Sequence, residues 1–301
     1  MSTIALPEDK VSDQSGVSGK NAPKRPPINE FDLPDLLEPV SSLVQEVAAS
    51  DLMPRFRRVA AERKHDGSVV TEADRIVEAA LAEALPRIVD CPVLGEEMDS
   101  AAQRQLWAQG DWFWCVDPLD GTANFAAGKR YFGISVALMV QRRSVFGLVL
   151  DPNRDEQFHA HLGGGAWLTE KHAPAKRLKL QPTVPLADAY LEIGRYKRLG
   201  RLQSALRAHP PCRKFGQIGA SVLQWCHLAA SRVDVFLHAG EHPWDYAAGA
   251  LILEEAGGRI ATLNHDDYWR GDADAMWEQS VIAARHPALF EDWKRWVRQH
   301  V

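Results

Sequence analysis

Trp114-Cys115-Val116-Asp117-Pro118-Leu119-Asp120-Gly121-Thr122-Ala123-Asn124-Phe125 is the stretch on which the rest of the chain turns. An apolar run from Trp112 to Val116 predicts a buried strand. Its end carries two aspartates, with Pro118 between them and Gly121 behind. Pro118 fixes its own φ and brings no N–H, while Gly121 permits a tight turn. The expectation is a stiff loop at the mouth of a strand, with both acids aimed at one spot. Converging carboxylates repel unless a cation or a proton lies between them. Thr122 adds a hydroxyl and nearby backbone N–H groups that can meet an anion. Together these point to a site for Mg²⁺ and phosphate. Taken alone, the stretch reads equally well as a solvated Asp-Pro…Asp-Gly turn.

Composition narrows the setting. At 301 residues the chain has room for one large domain or two closely packed halves, and 46% hydrophobic residues allow a sizeable core. A net charge of −5 gives no basic footprint, so nucleic acid is not an expected partner. No apolar run reaches about 18 residues, so no transmembrane helix is expected. No charged-then-apolar leader opens the chain. Cys91, Cys115, Cys212 and Cys226 lack CxxC spacing, so neither zinc nor a disulfide framework is expected. A cytoplasmic, reduced protein fits these features best.

Residues 1–30, rich in Ser, Gly, Lys and Pro, read as a disordered tail. Helical spacing runs over 36–63, with Pro39 in the first turn and Pro54 at a break. A loop over 64–70 leads to Thr71, an N-cap for a helix over 72–88. A strand over 91–94 ends at Gly95-Glu96-Glu97, and a polar helix to Gln109 precedes the opening stretch. Strands follow over 131–141, 144–151 and 156–162. Gly163-Gly164-Gly165 reads as a hairpin turn, because no Lys-Ser/Thr pair follows to make a phosphate cradle. Further on come strands over 190–193, 234–237 and 280–283, with helices over 199–208, 218–230, 244–256 and 287–298. Ala247-Ala248-Gly249 suits a helix that approaches other backbone closely, and Gly257-Gly258 ends it.

Four motifs, in order, are Val70-Thr71-Glu72-Ala73-Asp74, Gly95-Glu96-Glu97, the opening Asp-Pro-Leu-Asp-Gly-Thr, and Trp244-Asp245-Tyr246-Ala247-Ala248-Gly249. This set resembles the inositol monophosphatase-like family of Mg²⁺-dependent, lithium-sensitive phosphatases, over roughly residues 35–298. The resemblance implies an α+β fold, a layered αβαβα sandwich, with 31–181 as the metal-binding half and 182–301 as the substrate-side half of one compact unit. It implies that Glu96, Asp117 and the Leu119 carbonyl bind a first Mg²⁺, and that Asp117, Asp120 and Asp245 bind a second. Two such ions can clamp the attacking and leaving oxygens of a phosphoryl displacement. Glu96 and Thr122 are implied as the groups that activate water, with Asp74 supporting Thr122. Lys64 corresponds to a lysine near a third, weaker ion, though a solvated helix-end lysine is as good a reading. Substrate contacts are implied for Asp120, Gly121, Thr122, Gly219, Ala220 and Ser221. A homodimer is expected. Asp-x-x-Asp spacing argues against the Asp-x-Asp nucleophile chemistry of another phosphatase class.

At position 238 the inositol enzymes carry a sugar-binding Glu, and this chain has His238, whose imidazole either bonds a substrate hydroxyl with a charge that varies around pH ~6.5 or stands in a loop without ligand contact. The departure leaves several substrate classes open. A small sugar or polyol phosphate stands first, followed by fructose 1,6-bisphosphate, 3′-phosphoadenosine 5′-phosphate and histidinol phosphate. Arg195, Lys197 and Arg198 reach toward a second phosphate or acid, or form an ordinary solvated loop. A regulatory binding protein that keeps the fold is the non-enzymatic alternative.

Overall fold

Thr71 starts a helix as its hydroxyl suits it to do. Its Oγ1 accepts from the Ala73 amide at 3.2 Å, and Asp74 Oδ2 accepts from the Thr71 amide at 2.7 Å, closing a capping box. The computed structural model describes residues 33–64, 69–171 and 173–301, and the tail expected over 1–30 lies outside them. After a 3-10 turn at Leu33–Leu36, the described residues give α1 (Leu37–Val47), a hairpin of β1 (Ala61–Arg63) and β2 (Val69–Thr71), and α2 (Glu72–Ile88). The helix expected to run to residue 63 is shorter. After Val47 it passes through a π turn and a 3-10 turn at Met53–Arg55, where Pro54 ends it, and 61–63 pair as a strand instead.

Next come β3 (Val93–Gly95), α3 (Ser100–Gln109), β4 (Trp112–Asp120), α4 (Thr122–Ala126), β5 (Gly133–Val140), β6 (Arg143–Asp151), β7 (Glu156–His161), β8 (Gly165–Glu170) and β9 (Lys176–Arg177). The strands form one sheet in sequence order, with β3 and β4 parallel and the others antiparallel. The three glycines make the β7–β8 hairpin turn, and the Gly163 and Gly165 amides each donate to the Glu255 carboxylate at 2.8 Å. The protein's own anion fills that turn.

The chain then gives β10 (Tyr190–Gly194), α5 (Arg201–Ala208), β11 (Lys214–Gly216), α6 (Ser221–Ala229), β12 (Val235–Glu241), α7 (Pro243–Glu255), β13 (Arg259–Ala261), β14 (Gln279–Ala284) and α8 (Pro287–Gln299). The second sheet has the order β11-β10-β12-β14-β13. Its two faces follow from strand alternation. Phe236, Val281 and Ala283 face the core that holds α6, α7 and the first sheet, through Trp225, Tyr246, Met139 and Phe158. Val235, Leu237 and Ile282 face Leu202 and Leu206 of α5 and Trp293 of α8. Helices α1 and α2 cover the other face of the first sheet. The result is the layered αβαβα, α+β architecture expected from the sequence, and residues 33–301 form one compact unit.

Close backbone approach holds the middle layer in place. A Cβ at Gly147 of β6 would lie 2.9 Å from Ala248 Cα, and one at Gly249 would lie 2.4 Å from Trp225 Cβ. Both contacts involve atoms fixed to backbone, so neither can be relieved by a rotamer change. Gly249→Ala is therefore expected to cost about 1–3 kcal/mol of stability through overpacking. A urea midpoint equal to that of the unmodified protein would show that α6 and α7 separate freely. Among the described residues no helix is long and apolar enough to cross a membrane, and the four cysteines are buried and form no disulfide.

Candidate active site

β4 delivers its acids through a bulge. Asp117 lies opposite Ser135 and Asp120 opposite Gly133, so β4 carries one residue more than β5 between these pairs. The stiff loop expected here is thus the bulged end of the strand itself. Pro118 offers no amide to the ladder, and the Leu119 amide turns inward to donate to Asp117 Oδ1 at 3.0 Å. Gly121 follows at φ 86°, where a Cβ would meet the Tyr131 carbonyl oxygen at 2.7 Å. Only glycine fits both the angle and the space.

Asp117, Asp120 and Asp245 each present an oxygen within 4.8 Å of the others. Asp245 comes from the first turn of α7, where its Oδ2 accepts from the His242 amide at 2.9 Å. It caps that helix with one oxygen and leaves the other free. Asp120 Oδ2 accepts from the Val222 amide at 2.9 Å, which ties β4 to the start of α6. Glu96 stands just past β3, and its Oε1 lies 3.4 Å from Lys64 Nζ. Lys64 lies closer to Glu97, at 2.5 Å. Burial opposes the lysine's charge, but the Glu96 and Glu97 carboxylates outweigh it and hold its pKa above the usual range.

The carboxyls show the strain of convergence. Burial pushes Glu96 up to about 8 against the pull of Lys64, with Asp245 and Glu97 adding to the rise. Burial likewise brings Asp120 up to about 8, reinforced by Asp245. Asp117 is raised well above the carboxylate range by burial and then by Glu96 and Asp120. Asp245 is raised by burial, with its His242 hydrogen bond opposing. A partly buried set of oxygen donors that repel one another fits a hard divalent cation such as Mg²⁺.

Thr122 opens α4, with its Oγ1 2.8 Å from Asp74 Oδ1 and 2.9 Å from the Leu119 carbonyl. Its single proton serves one of these acceptors at a time. The Leu119 carbonyl keeps a second lone pair beyond that contact. Helix α4 has only five residues, so its dipole adds little toward an anion at Gly121 and Thr122.

Gly219, Ala220 and Ser221 lie where α6 begins. The helix expected from Ile218 starts at Ser221, because Gly219 is left-handed at φ 73° and Ala220 is extended. Ser221 Oγ is committed to the carboxylate of Glu241, which also accepts from Trp225 Nε1 at 3.0 Å. His238 is buried on β12, a strand that runs past the expected residue 237 to Glu241. Its Nδ1 accepts from the Gly240 amide at 3.2 Å, which leaves the ring proton on Nε2. Burial and then Arg195 push the imidazole down to about 3, so it stays neutral across the physiological range. The expectation of a charge that varies near neutrality is corrected by that desolvation.

Two clefts adjoin the acids. One of about 280 Å³ is lined by Asp120, Ser221, His238, Arg195 and Asp245. The other, about 420 Å³, is lined by Glu96, Lys64, Trp244, Arg195 and Asp245. A larger cleft of about 500 Å³, between Gln45, Met53, Gln157 and Lys171, shares no lining residue with either. Size alone does not select the site, and the acid cluster does.

Several supporting residues escaped the sequence reading. Glu78, one helical turn past Asp74, accepts from the Glu97 amide at 2.8 Å, and Gln103 Nε2 donates to the Gly95 and Glu96 carbonyls. Asn124 Nδ2 donates to the Ile218 and Tyr131 carbonyls, fixing the loop ahead of α6. Polar residues at core spacing were the available signal for Glu78 and Gln103. Glu241, an acid that ends an apolar run, was the signal for the buried carboxyl beneath Ser221.

The chain is similar to known proteins in sequence and in fold. The sequence model of the inositol monophosphatase family matches residues 35–300. The Nus factor SuhB of Pasteurella multocida is 34% identical over 67% of this chain and 74% of its own length. An inositol-1-monophosphatase of Mesorhizobium japonicum is 32% identical over 73% of this chain and 79% of its own. Among solved structures, the Thermotoga maritima IMPase superposes with a TM-score of 0.73 at 26% identity, covering 88% of this chain and 97% of that one.

Proposed function

The chain belongs to the inositol monophosphatase family, and from that premise we propose that it hydrolyses a small phosphate monoester in a Mg²⁺-dependent reaction. The observation that carries this reading is the convergence of buried Asp117 and Asp120 with half-buried Asp245 beside Thr122 and its partner Asp74. In this reading Glu96, Asp117, the Leu119 carbonyl, Asp120 and Asp245 hold Mg²⁺. When bound, Mg²⁺ supplies Lewis acidity, lowering the pKa of water and offsetting charge on phosphoryl oxygens. Asp74 orients the Thr122 hydroxyl, which positions the attacking water, and Glu96 accepts a proton from it. The Gly121 and Thr122 amides bind phosphoryl oxygens. Gly219, Ala220, Ser221 and His238 border the leaving group, a sugar or polyol in the simplest case. The halves 31–181 and 182–301 then divide the work into metal binding and substrate binding, within a protein that acts as a homodimer.

The relatives named Nus factor SuhB favour a second reading, a regulatory binding protein that retains the fold. One assay separates the two. Phosphate release is measured with saturating Mg²⁺ across inositol 1-phosphate, glycerol 2-phosphate, fructose 1,6-bisphosphate, 3′-phosphoadenosine 5′-phosphate and histidinol phosphate. Turnover of at least one ester, abolished by chelator, is the expected result. No release from any ester by protein that still binds Mg²⁺ would favour the regulatory reading.

A further inference from the structure

Most polar groups around the smaller cleft are already engaged. Ser221 Oγ donates to Glu241, and Gln224 Nε2 donates to the buried Glu192 Oε2 at 2.9 Å. Besides the exposed amide of Gln217, two side chains keep donors for a ligand. His238 has Nδ1 occupied by the Gly240 amide, so its remaining nitrogen carries the proton and donates. Its ring lies flush on Gly194, where a Cβ would fall 1.5 Å from Cδ2, so the backbone at 194 was left bare to seat it. Arg195 follows at once, with its backbone left-handed at φ 43° and ψ 41°. That conformation is uncommon for a side chain of this size, and such strain concentrates where a side chain must be aimed.

Arg195 lines both clefts beside the acid cluster. Its Nη1 lies 2.9 Å from Glu278 Oε1, the same oxygen that Arg198 Nη1 approaches at 2.5 Å. Two guanidinium groups share one carboxylate, so one positive charge is left over. Apart from Asp120 and Asp245, which are committed to the cation, no acidic side chain lines the smaller cleft. A surplus guanidinium charge beside an imidazole donor matches an acceptor-rich, negatively charged ligand group.

We propose that Arg195 and His238 form a subsite for an anionic group, a carboxylate or a second phosphate, on the leaving-group side of the ester. This assignment rests on the phosphatase reading and narrows its substrate class. A contact between arginine and an anionic group is stronger than one from arginine to a neutral hydroxyl, so a charged ester gains more here than a polyol.

Matched pairs of esters test the subsite. Glycerol 2-phosphate and 2-phosphoglycerate differ in whether one carbon is a hydroxymethyl or a carboxylate. Fructose 1-phosphate and fructose 1,6-bisphosphate differ by the second phosphate. The two pairs distinguish a carboxylate from a phosphate as the bound group. In at least one pair the charged ester is expected to have about a 10-fold or greater advantage in kcat/KM, carried mostly by KM. Arg195→Gln should bring that ratio close to one, and Arg195→Lys should restore part of it. Glu278→Gln removes the competing carboxylate and should hold or raise the ratio. A ratio near one for both pairs in the unmodified protein, or a ratio that Arg195→Gln leaves intact, overturns the subsite while hydrolysis itself upholds the phosphatase reading. A collapse in Glu278→Gln as large as in Arg195→Gln also overturns it, because the ion pair rather than the free charge would then matter. No hydrolysis of any of the four esters overturns the subsite, and the phosphatase reading falls with it only when the wider ester panel also releases no phosphate.

Discussion

Asp117→Asn is expected to lower kcat/KM by about 10³-fold, because a metal ion contributes several kcal/mol of transition-state stabilisation and each 1.36 kcal/mol is tenfold. The substitution is nearly isosteric. An asparagine carbonyl oxygen can still accept from the Leu119 amide, the bond that shapes the bulge at the end of β4. What is lost is one negative charge at the centre of the cluster, facing Glu96 and Asp120. The same carboxyl is held far above its ordinary range by burial, so removing its charge does not weaken the metal-free fold. The variant should therefore match or exceed the metal-free stability of the unmodified protein while losing turnover. Full activity of Asp117→Asn would remove Asp117 from the metal set. Lost activity with a collapsed fold would assign it a structural role.

Added Mg²⁺ is expected to stabilise the protein, and more at pH 8 than at pH 6. Glu96 and Asp120 sit near 8 in the fold, whereas carboxyls in the unfolded chain titrate near 4. Between those values the folded state binds more protons than the unfolded one. Metal-free stability attributable to these acids therefore falls as pH rises from about 4 through 8. At pH 6 a cation must displace protons, and at pH 8 it meets carboxylates that already repel one another. At a concentration of about 100 times Kd the gain is about 2.7 kcal/mol, or roughly 5 °C in melting temperature for a chain of this size. Three buried histidines work in the opposite sense. His159 and His227 are lowered to about 4 and His238 to about 3, chiefly by burial, so their contribution is lost as pH falls below 6.5. They are not among the acids that hold the cation, so the increment caused by Mg²⁺ isolates the acids. An increment that is equal at both pH values, or absent, would contradict the cation site.

The sequence was most informative where chemistry and backbone geometry coincide. Thr71 and Asp74 share one capping box, so the start of α2 and a partner of Thr122 could be read from the same few residues. The small residues of α7 foretold its close approach to Trp225 and to β6. Legibility failed where geometry depends on distant segments. The bulge that aims Asp117 and Asp120 exists only in register with β5, and period-two spacing reads it as a loop. The short strands β1, β11 and β13 carry too few residues to show alternation. His238 looked like a pH-sensitive group because its residue type titrates near neutrality. Its burial against Gly194 and the nearness of Arg195 are tertiary facts that no local pattern records.

The most direct measurement is phosphate release by protein first stripped with chelator and then resupplied with Mg²⁺, using the best ester found for it. The account predicts no release from stripped protein and saturable recovery as Mg²⁺ is restored. Release that survives stripping, or Mg²⁺ binding that restores no release from any ester, would contradict it.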